Sequence, residues 1–441
     1  MSLEKIIYEV MHNIGKSGGI FLFQTTKLAE GVSLHIRKTT QFKTVNFSFK
    51  WRTPLTTKTA AERAVLSNVL QHSNARFRKS AEFRSYLDDL YGTMLYFDVS
   101  KRGGEHTVML NVETVNDQYL SNQPVLNDVI DLLQTVIFQP NWKNGQFVPS
   151  IVEREKQIVI QRIESVFDDK TRYAQQRLTQ ILRPNHPASI PASGTIETVK
   201  EVTPASLTEA YQSMIDNDKI DIYVAGDIDV EEIQEKMKKA FQFKDRTPQK
   251  PTINEDSKPE KDYVKEFQDM KQGKLHMGFS TPVKFGDPDF PKMQIFNGVF
   301  GGYAHSKLFM NVRERESLCY YVSSSYSPHY GLLYVISGIE PKNEKKAIDI
   351  IFEQLDEMKK GNIAALELNQ TRAMLVNQLR EALDLPRGQI DIFDQYKDLD
   401  EEFSVELWKE RWEKVTKEDL QQMASQLKHE ATYFLCGKEA E

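Results

Sequence analysis

The chain has 441 residues, more than one ordinary hydrophobic core accommodates, and this length predicts two or more domains. Its composition is 40% hydrophobic and 27% charged, which is typical of folded domains and excludes extensive disorder. The net charge is −6, and lysine and arginine are interspersed with acidic residues. We therefore expect no nucleic-acid partner.

The cysteine content and the N-terminal segment both bear on location. Only two cysteines occur, Cys319 and Cys436, which excludes a disulfide framework and is typical of a reducing compartment. Segment 1–19 carries Glu4 and Glu9 within its apolar stretch and lacks the basic and apolar regions of a signal peptide. No apolar run approaches the roughly 18 to 20 residues of a membrane span. We therefore expect a cytoplasmic protein without a membrane partner.

A change in composition divides the chain into two halves of similar size. In residues 244–263, proline, lysine and acidic residues replace any apolar periodicity, as is typical of a linker. We therefore predict an N-terminal domain at 1–243, a linker at 244–263 and a C-terminal domain at 264–441.

The predicted elements of the two halves follow the same order. The first half has strand 44–51, strand 106–112, helix 127–138, a helix after Thr203 and strand 221–226. The second half has strand 275–279, strand 332–337, helix 345–359, a helix after Thr416 and strand 431–437. Both threonines suit an N-cap, because the hydroxyl can accept from free amides of the first turn. The repeat predicts an α+β duplication, although generic α/β patterns can also match by chance.

Several segments resemble the M16 (pitrilysin-like) peptidase family. Residues 301–309 and 312–320, GGYAHSKLF and VRERESLCY, resemble the family's glycine-rich turn, Ser-Arg-Leu-Phe helix and REKxGLAY motif. In the first half, 90–93 resembles the LGG turn, 194–203 the GTpEsI segment, 226–229 the GDvd motif and 153–163 the helix ERExxVIxEEI. The resemblance implies two tandem duplicated domains of the M16 (LuxS/MPP-like) type. Each would be a mainly antiparallel sheet packed with helices.

Active members of the family bind zinc through the motif HxxEH, whose two histidines share one helix face. The glutamate of this motif polarises the attacking water. Counting back about 22 residues from the turn at 90–92 places the motif at 65–69, where Val65 and Val69 replace both histidines. A register three residues later offers Asn68 for histidine, Gln71 for glutamate and His72 as a true histidine. Both registers stay open, and neither makes a zinc site.

The third ligand position also departs from the family. Seven residues beyond Glu155, where active members carry a glutamate, this chain has Arg162, whose guanidinium would repel a metal. The nine histidines contain no other pair at helical metal spacing. We therefore expect no zinc and no other cofactor in this chain alone. His72 by itself is interpreted as a surface or helix-end histidine, with a residual site role as the alternative.

The second half retains two residues that the resemblance assigns to catalysis. Arg313 and Tyr320 match the family's arginine and tyrosine, at a helix end and at the start of the next strand. In the family these side chains reach the zinc site of the opposite half or partner and donate hydrogen bonds to the substrate carbonyl. The alternative is a solvated helix-end charge for Arg313 and a core aromatic ring for Tyr320.

The sequence thus predicts a non-catalytic subunit of an M16-type peptidase pair. Its partner would be a second M16-like chain with an intact HxxEH, and the heterodimer would hydrolyse an unfolded peptide with the zinc in the partner. In isolation we expect that the apolar partner face can also form a homodimer. The first alternative is a structural or peptide-binding scaffold. The second is a self-sufficient zinc peptidase with an atypical site.

Overall fold

The computed structural model describes residues 23–121, 124–253, 257–399 and 403–438. The N-terminal segment on which the signal-peptide expectation rests lies outside them. The strands are β1 (Gln24–Ala29), β2 (Val32–Lys38), β3 (Thr44–Pro54), β4 (Met94–Arg102), β5 (Glu105–Val115), β6 (Trp142–Lys143), β7 (Gln146–Phe147), β8 (Lys219–Gly226), β9 (Tyr263–Phe267), β10 (Gly273–Ser280), β11 (Cys319–Ser327), β12 (Leu332–Ile339) and β13 (Lys428–Cys436).

The helices fill the intervals between these strands. They are α1 (Thr57–His72), α2 (Ser80–Asp89), α3 (Leu126–Phe138), α4 (Pro149–Asp168), α5 (Lys170–Leu182), α6 (Ile196–Lys200), α7 (Pro204–Asn217), α8 (Val230–Ala240), α9 (Phe290–Asn297), α10 (Glu344–Lys359), α11 (Ala365–Leu383), α12 (Pro386–Tyr396), α13 (Val405–Lys414) and α14 (Lys417–Gln426). Two π-helical segments follow α9, at Gly298–Gly302 and Phe309–Arg315.

The five strands of the second sheet repeat the topology of five of the six strands of the first, which confirms the predicted α+β duplication. The first has the strand order β4-β5-β3-β8-β2-β1, and the second has the order β11-β12-β10-β13-β9. Each pair of neighbouring strands in the second sheet has the same direction of pairing, parallel or antiparallel, as the corresponding pair in the first sheet. In each sheet the pairing is antiparallel, except between β2 and β8 in the first and between β9 and β13 in the second. A mainly antiparallel sheet therefore recurs in each half.

The predicted threonine caps are present in both halves. The Thr203 hydroxyl at the start of α7 accepts from the backbone N–H of Ser206 at 3.1 Å. The Thr416 hydroxyl at the start of α14 accepts from the N–H of Asp419 at 3.2 Å. In each case the third residue's side chain accepts in turn from the threonine N–H, which forms a capping box.

One face of each sheet carries a large core formed with helices of the same half. In the first half, α1 lies within this core, because its residues from Ala60 to Leu70 are all buried. In the second half, the alternating side chains of Leu275, Met277 and Phe279 on β10 pack into a core that includes α9, α10 and α14. These cores fix α1 against the first sheet and the Arg313 segment against the second.

The opposite face of each sheet is covered by a helix from the other half. Helix α5 lies on β10 and β13 of the second sheet, where the side chain of Leu182 packs against the backbone of Gly278. Helix α12 lies on β3 and β8 of the first sheet. Because each half supplies a helix that covers the other, the two halves share reciprocal interfaces.

Buried charges hold α12 on the first sheet. Asp394 of α12 forms ion pairs with Arg52, with Lys50 at 3.1 Å and with Lys397 at 3.3 Å. Asp221 of β8 pairs with Arg52 and lies 3.5 Å from Lys397. Burial alone would raise the pKa of Asp394, but these cations outweigh it and hold that pKa well below its usual value.

The predicted division at 1–243, 244–263 and 264–441 stays a prediction, although one boundary residue can be located. Tyr263, the last residue of the predicted linker, is the first residue of β9. Within the described ranges, no helix combines the length and the apolar character needed to cross a membrane.

Candidate functional site

Helices α1 and α4 carry the positions that the resemblance to the M16 family assigns to zinc ligands. The side chains of Val65 and Val69 in the first register are 0% and 1% exposed and belong to the hydrophobic core. They point away from any solvent-accessible site, so histidines in their place would lie in the core. The geometry therefore disfavours the register at 65–69.

The second register faces α4. Asn68 Oδ1 accepts a long hydrogen bond from Arg162 Nη2 at 3.5 Å, which joins the first and third ligand positions. Gln71 Oε1 accepts from the backbone N–H of Phe97 in β4 at 2.9 Å. His72, the last residue of α1, lies 3.2 Å through Nδ1 from Glu155 Oε2. The structure thus brings Asn68 into contact with Arg162, and Gln71 and His72 lie on the next turn of α1.

Glu155 is the residue of this site whose role the sequence did not indicate. Its carboxylate is 0% exposed and accepts from His72 and, through the other oxygen, from Arg154 at 2.7 and 2.8 Å. Burial would raise the pKa of Glu155, but these hydrogen bonds outweigh it and lower that pKa below its usual value. Its place in the ERE segment, two helix turns before the ligand position, was the available signal. His72 is a helix-end histidine, as expected, and it also hydrogen-bonds a buried carboxylate, which leaves the alternative of a residual site role open.

The residues at these positions do not fit zinc. A zinc site needs at least three strong electron-pair donors, and His72 is the only such side chain among the four positions. Arg162 carries a fixed positive charge, and the neutral amides of Asn68 and Gln71 cannot act as the anionic base. Across the described residues, no group of three or more histidine, cysteine, aspartate or glutamate side chains could hold a metal ion.

Arg313 lies in the second π-helical segment, whose geometry is uncommon and frequently marks functional positions. Its guanidinium is 4.6 Å from the ring centroid of Phe309, and Nε lies 3.7 Å from Glu314. About two-fifths of its side chain is exposed, so solvent reaches the guanidinium. The chain then turns at Ser317, which has φ 51° where the family motif has glycine.

Tyr320 lies at the start of edge strand β11 and is 73% exposed. The register between β11 and β12 shifts between Cys319 and Tyr321, so Tyr320 is the extra residue of a β-bulge. Bulges re-aim side chains and are over-represented beside active sites. The alternative of a core aromatic residue is therefore wrong for Tyr320. Among the described residues, no hydrogen bond or ion pair joins Arg313 or Tyr320 to α1 or α4.

Comparison with known proteins identifies the family. The family model described as "Peptidase M16 inactive domain" matches residues 201–375 of this chain. The "Probable inactive metalloprotease YmfF" of Bacillus subtilis (strain 168) is 39% identical over 411 residues, which are 93% of this chain and 96% of that protein.

Solved structures agree in fold. A conserved protein from Enterococcus faecalis V583 has a TM-score of 0.89 at 33% identity, covering 95% of this chain and 99% of its own. A peptidase M16 inactive domain from Pseudomonas fluorescens has a TM-score of 0.77 at 15% identity, with the same coverage, and shows the fold alone. The chain therefore belongs to the M16 peptidase family and is of its inactive, metalloprotease-like type.

Proposed function

We propose that this chain is the non-catalytic subunit of an M16-type peptidase pair and supplies Arg313 and Tyr320 to the zinc site of a partner chain. The observation that carries the proposal is the contrast between the two halves. Among the described residues of the first half no group of side chains could hold a metal ion, whereas in the second half Arg313 and Tyr320, which match the family's donors in sequence, are exposed.

The exposure of these donors supports a role outside the chain. Tyr320 lies at a β-bulge of an edge strand and is 73% exposed. Its ring therefore does not serve as core packing within this chain. Arg313 keeps its guanidinium accessible beside the ring of Phe309. Both groups can donate a hydrogen bond to a peptide carbonyl and stabilise the oxyanion that forms when water attacks it.

The proposed substrate is an extended peptide bound in a chamber between the two chains. Edge strand β11 leaves backbone groups free on one side, which suits main-chain recognition with loose sequence preference. A cytoplasmic location is also part of the proposal. It rests on the low cysteine content, since the two cysteines of the sequence, Cys319 and Cys436, are too few for a disulfide framework.

The test is peptide hydrolysis by the full chain mixed with a candidate HxxEH partner of similar length, such as one encoded beside it. We compare wild type with the double variant Arg313→Ala, Tyr320→Phe. Loss of transition-state donors should lower kcat by about a hundredfold or more and leave complex formation intact.

A matched control uses the neighbours of these residues. Arg315 lies in the same π-helical segment and is 75% exposed, and the hydroxyl of Tyr321 lies 3.1 Å from Thr171 of α5. The double variant Arg315→Ala, Tyr321→Phe should retain the wild-type kcat. An unchanged rate in the Arg313, Tyr320 variant would reject the proposal and favour the alternative of a structural or peptide-binding scaffold.

A further inference from the structure

The residues at the former metal positions present hydrogen-bond donors, whereas a metal needs acceptors. Gln71 uses its oxygen to accept from Phe97 N–H, which leaves its amide nitrogen as the group able to meet a ligand. The guanidinium of Arg162 is a donor only. Asn68 turns its oxygen toward Arg162 and is 95% buried, with Nδ2 unpaired. The polarity of the site is therefore the reverse of a cation site.

The local charge also favours an anion, because the positive charge of Arg162 is not balanced by a neighbouring carboxylate in the part of the chain that the structure describes. The carboxylate of Glu155 is matched by Arg154 at 2.7 Å and by the hydrogen bond from His72. Arg162 is exposed, and among the described residues no carboxylate lies within ion-pair distance of it. An uncompensated guanidinium fork beside an amide donor matches the two oxygens of a carboxylate.

The position of the site indicates what could carry that carboxylate. Strand β4 is the edge of the first sheet, and Phe97 is in its middle. Because β5 pairs with the other side of β4, the Phe97 N–H that Gln71 occupies lies on the open edge. An extended peptide placed along this edge must therefore end or turn at Gln71, which lies one turn of α1 beyond Asn68, the residue that Arg162 contacts.

We propose that the face formed by α1 and α4 binds a carboxylate of an extended peptide, with Arg162 and Gln71 as the donors and Asn68 as the residue that positions Arg162. The site lies within the first half and requires no partner chain. It stands or fails independently of the role proposed for Arg313 and Tyr320.

The test uses the full chain and three N-acetylated hexapeptides of alternating threonine and valine. The first has a free C-terminal carboxylate, the second a C-terminal amide, and the third a C-terminal amide with one internal glutamate. Binding is measured by isothermal titration calorimetry. We expect the first or the third to bind at least about tenfold more tightly than the second, because one charge-assisted pair is gained. The first peptide tests a chain terminus, and the third tests an acidic side chain.

Two variants locate the site. Arg162→Gln should remove the preference for the carboxylate, and because Arg162 is exposed the fold should be retained. Asn68→Asp places a carboxylate against Arg162 and should abolish peptide binding by occupying the site from within. Arg380→Gln, an exposed arginine of α11, is the matched control and should bind as wild type.

Three results would overturn the proposal. The first is equal affinity for the three peptides, or no binding of any of them up to about 1 mM. The second is an Arg162→Gln protein that still prefers the carboxylate. The third is an Asn68→Asp protein that unfolds at the wild-type temperature or above it and yet binds as wild type.

Discussion

Three substitutions should convert the degenerate site into a zinc site. Asn68→His and Gln71→Glu, with the existing His72, complete the HxxEH motif, and Arg162→Glu restores the third ligand. His72 is already oriented for this purpose, because its Nδ1 donates to the buried carboxylate of Glu155. That arrangement is the usual support of a metal-bound histidine, and it leaves Nε2 available for the ion.

The contact distances indicate that an ion fits. Arg162 Nη2 reaches to 3.5 Å from Asn68 Oδ1. An extended arginine side chain is longer than an extended glutamate side chain by about 2 Å, which is roughly the length of a zinc–oxygen bond. A glutamate at this position together with an ion would therefore fill the space that the guanidinium takes now. At free zinc a thousandfold above Kd, the stabilisation is about 4 kcal/mol. For a unit of 150 to 250 residues this raises Tm by roughly 8 to 16 °C.

The assay combines zinc content after dialysis with thermal unfolding in zinc and in chelator. The control introduces the other register, through Val65→His, Asn68→Glu, Val69→His and Arg162→Glu. Because Val65 and Val69 are in the core, this set should bind no zinc and should destabilise the first half. Our reasoning is refuted if the control set takes up zinc, or if the first set folds and stays free of it.

The remaining predictions concern the reciprocal helices. Asp394→Asn should lower the free energy of unfolding in urea by about 3 to 5 kcal/mol, since it leaves buried cations unmatched. Asp391→Asn on the same helix, at a side chain that is 44% exposed, should cost about 1 kcal/mol or less, and equal effects would contradict the buried cluster. Because the folded pKa of Asp394 is depressed, its contribution is complete above its unfolded pKa of about 3.9 and is lost only as pH falls toward the lower folded value. The wild-type minus Asp394→Asn stability difference should therefore shrink only under acid conditions, and a difference that shrinks between pH 5 and 7 would contradict this assignment. Gly278→Ala should destabilise by about 1 to 3 kcal/mol, because the added Cβ would overlap the side chain of Leu182, and Leu182→Ala in the same chain should recover part of the loss.

Local patterns were sufficient to predict the repeated architecture. The alternating residues of β3 and β10 and the caps at Thr203 and Thr416 each depend on a few neighbouring residues, so the sequence displays them directly. The pairing of β9 with β13 and the crossing of α5 and α12 depend on distant partners. An amphipathic helix indicates that one face is buried and does not indicate what covers it.

The site was predicted in part for similar reasons. The sequence contains Asn68, Gln71, His72 and Arg162 at the positions that the structure brings together, yet the count back from the turn at 90–92 gave a different register. Loop lengths vary between relatives without cost to the core, so a count across a loop does not fix a register. Only the burial of Val65 and the contact between Asn68 and Arg162 separate the two registers.

Metal analysis of the purified wild-type chain is the most direct test of the central claim, that its first half has lost the ability to hold zinc. After exposure to excess zinc and dialysis, we predict far less than one zinc ion per chain and no change in Tm on adding a chelator. One tightly held zinc ion per chain, lost when His72 is replaced by alanine, would contradict the account.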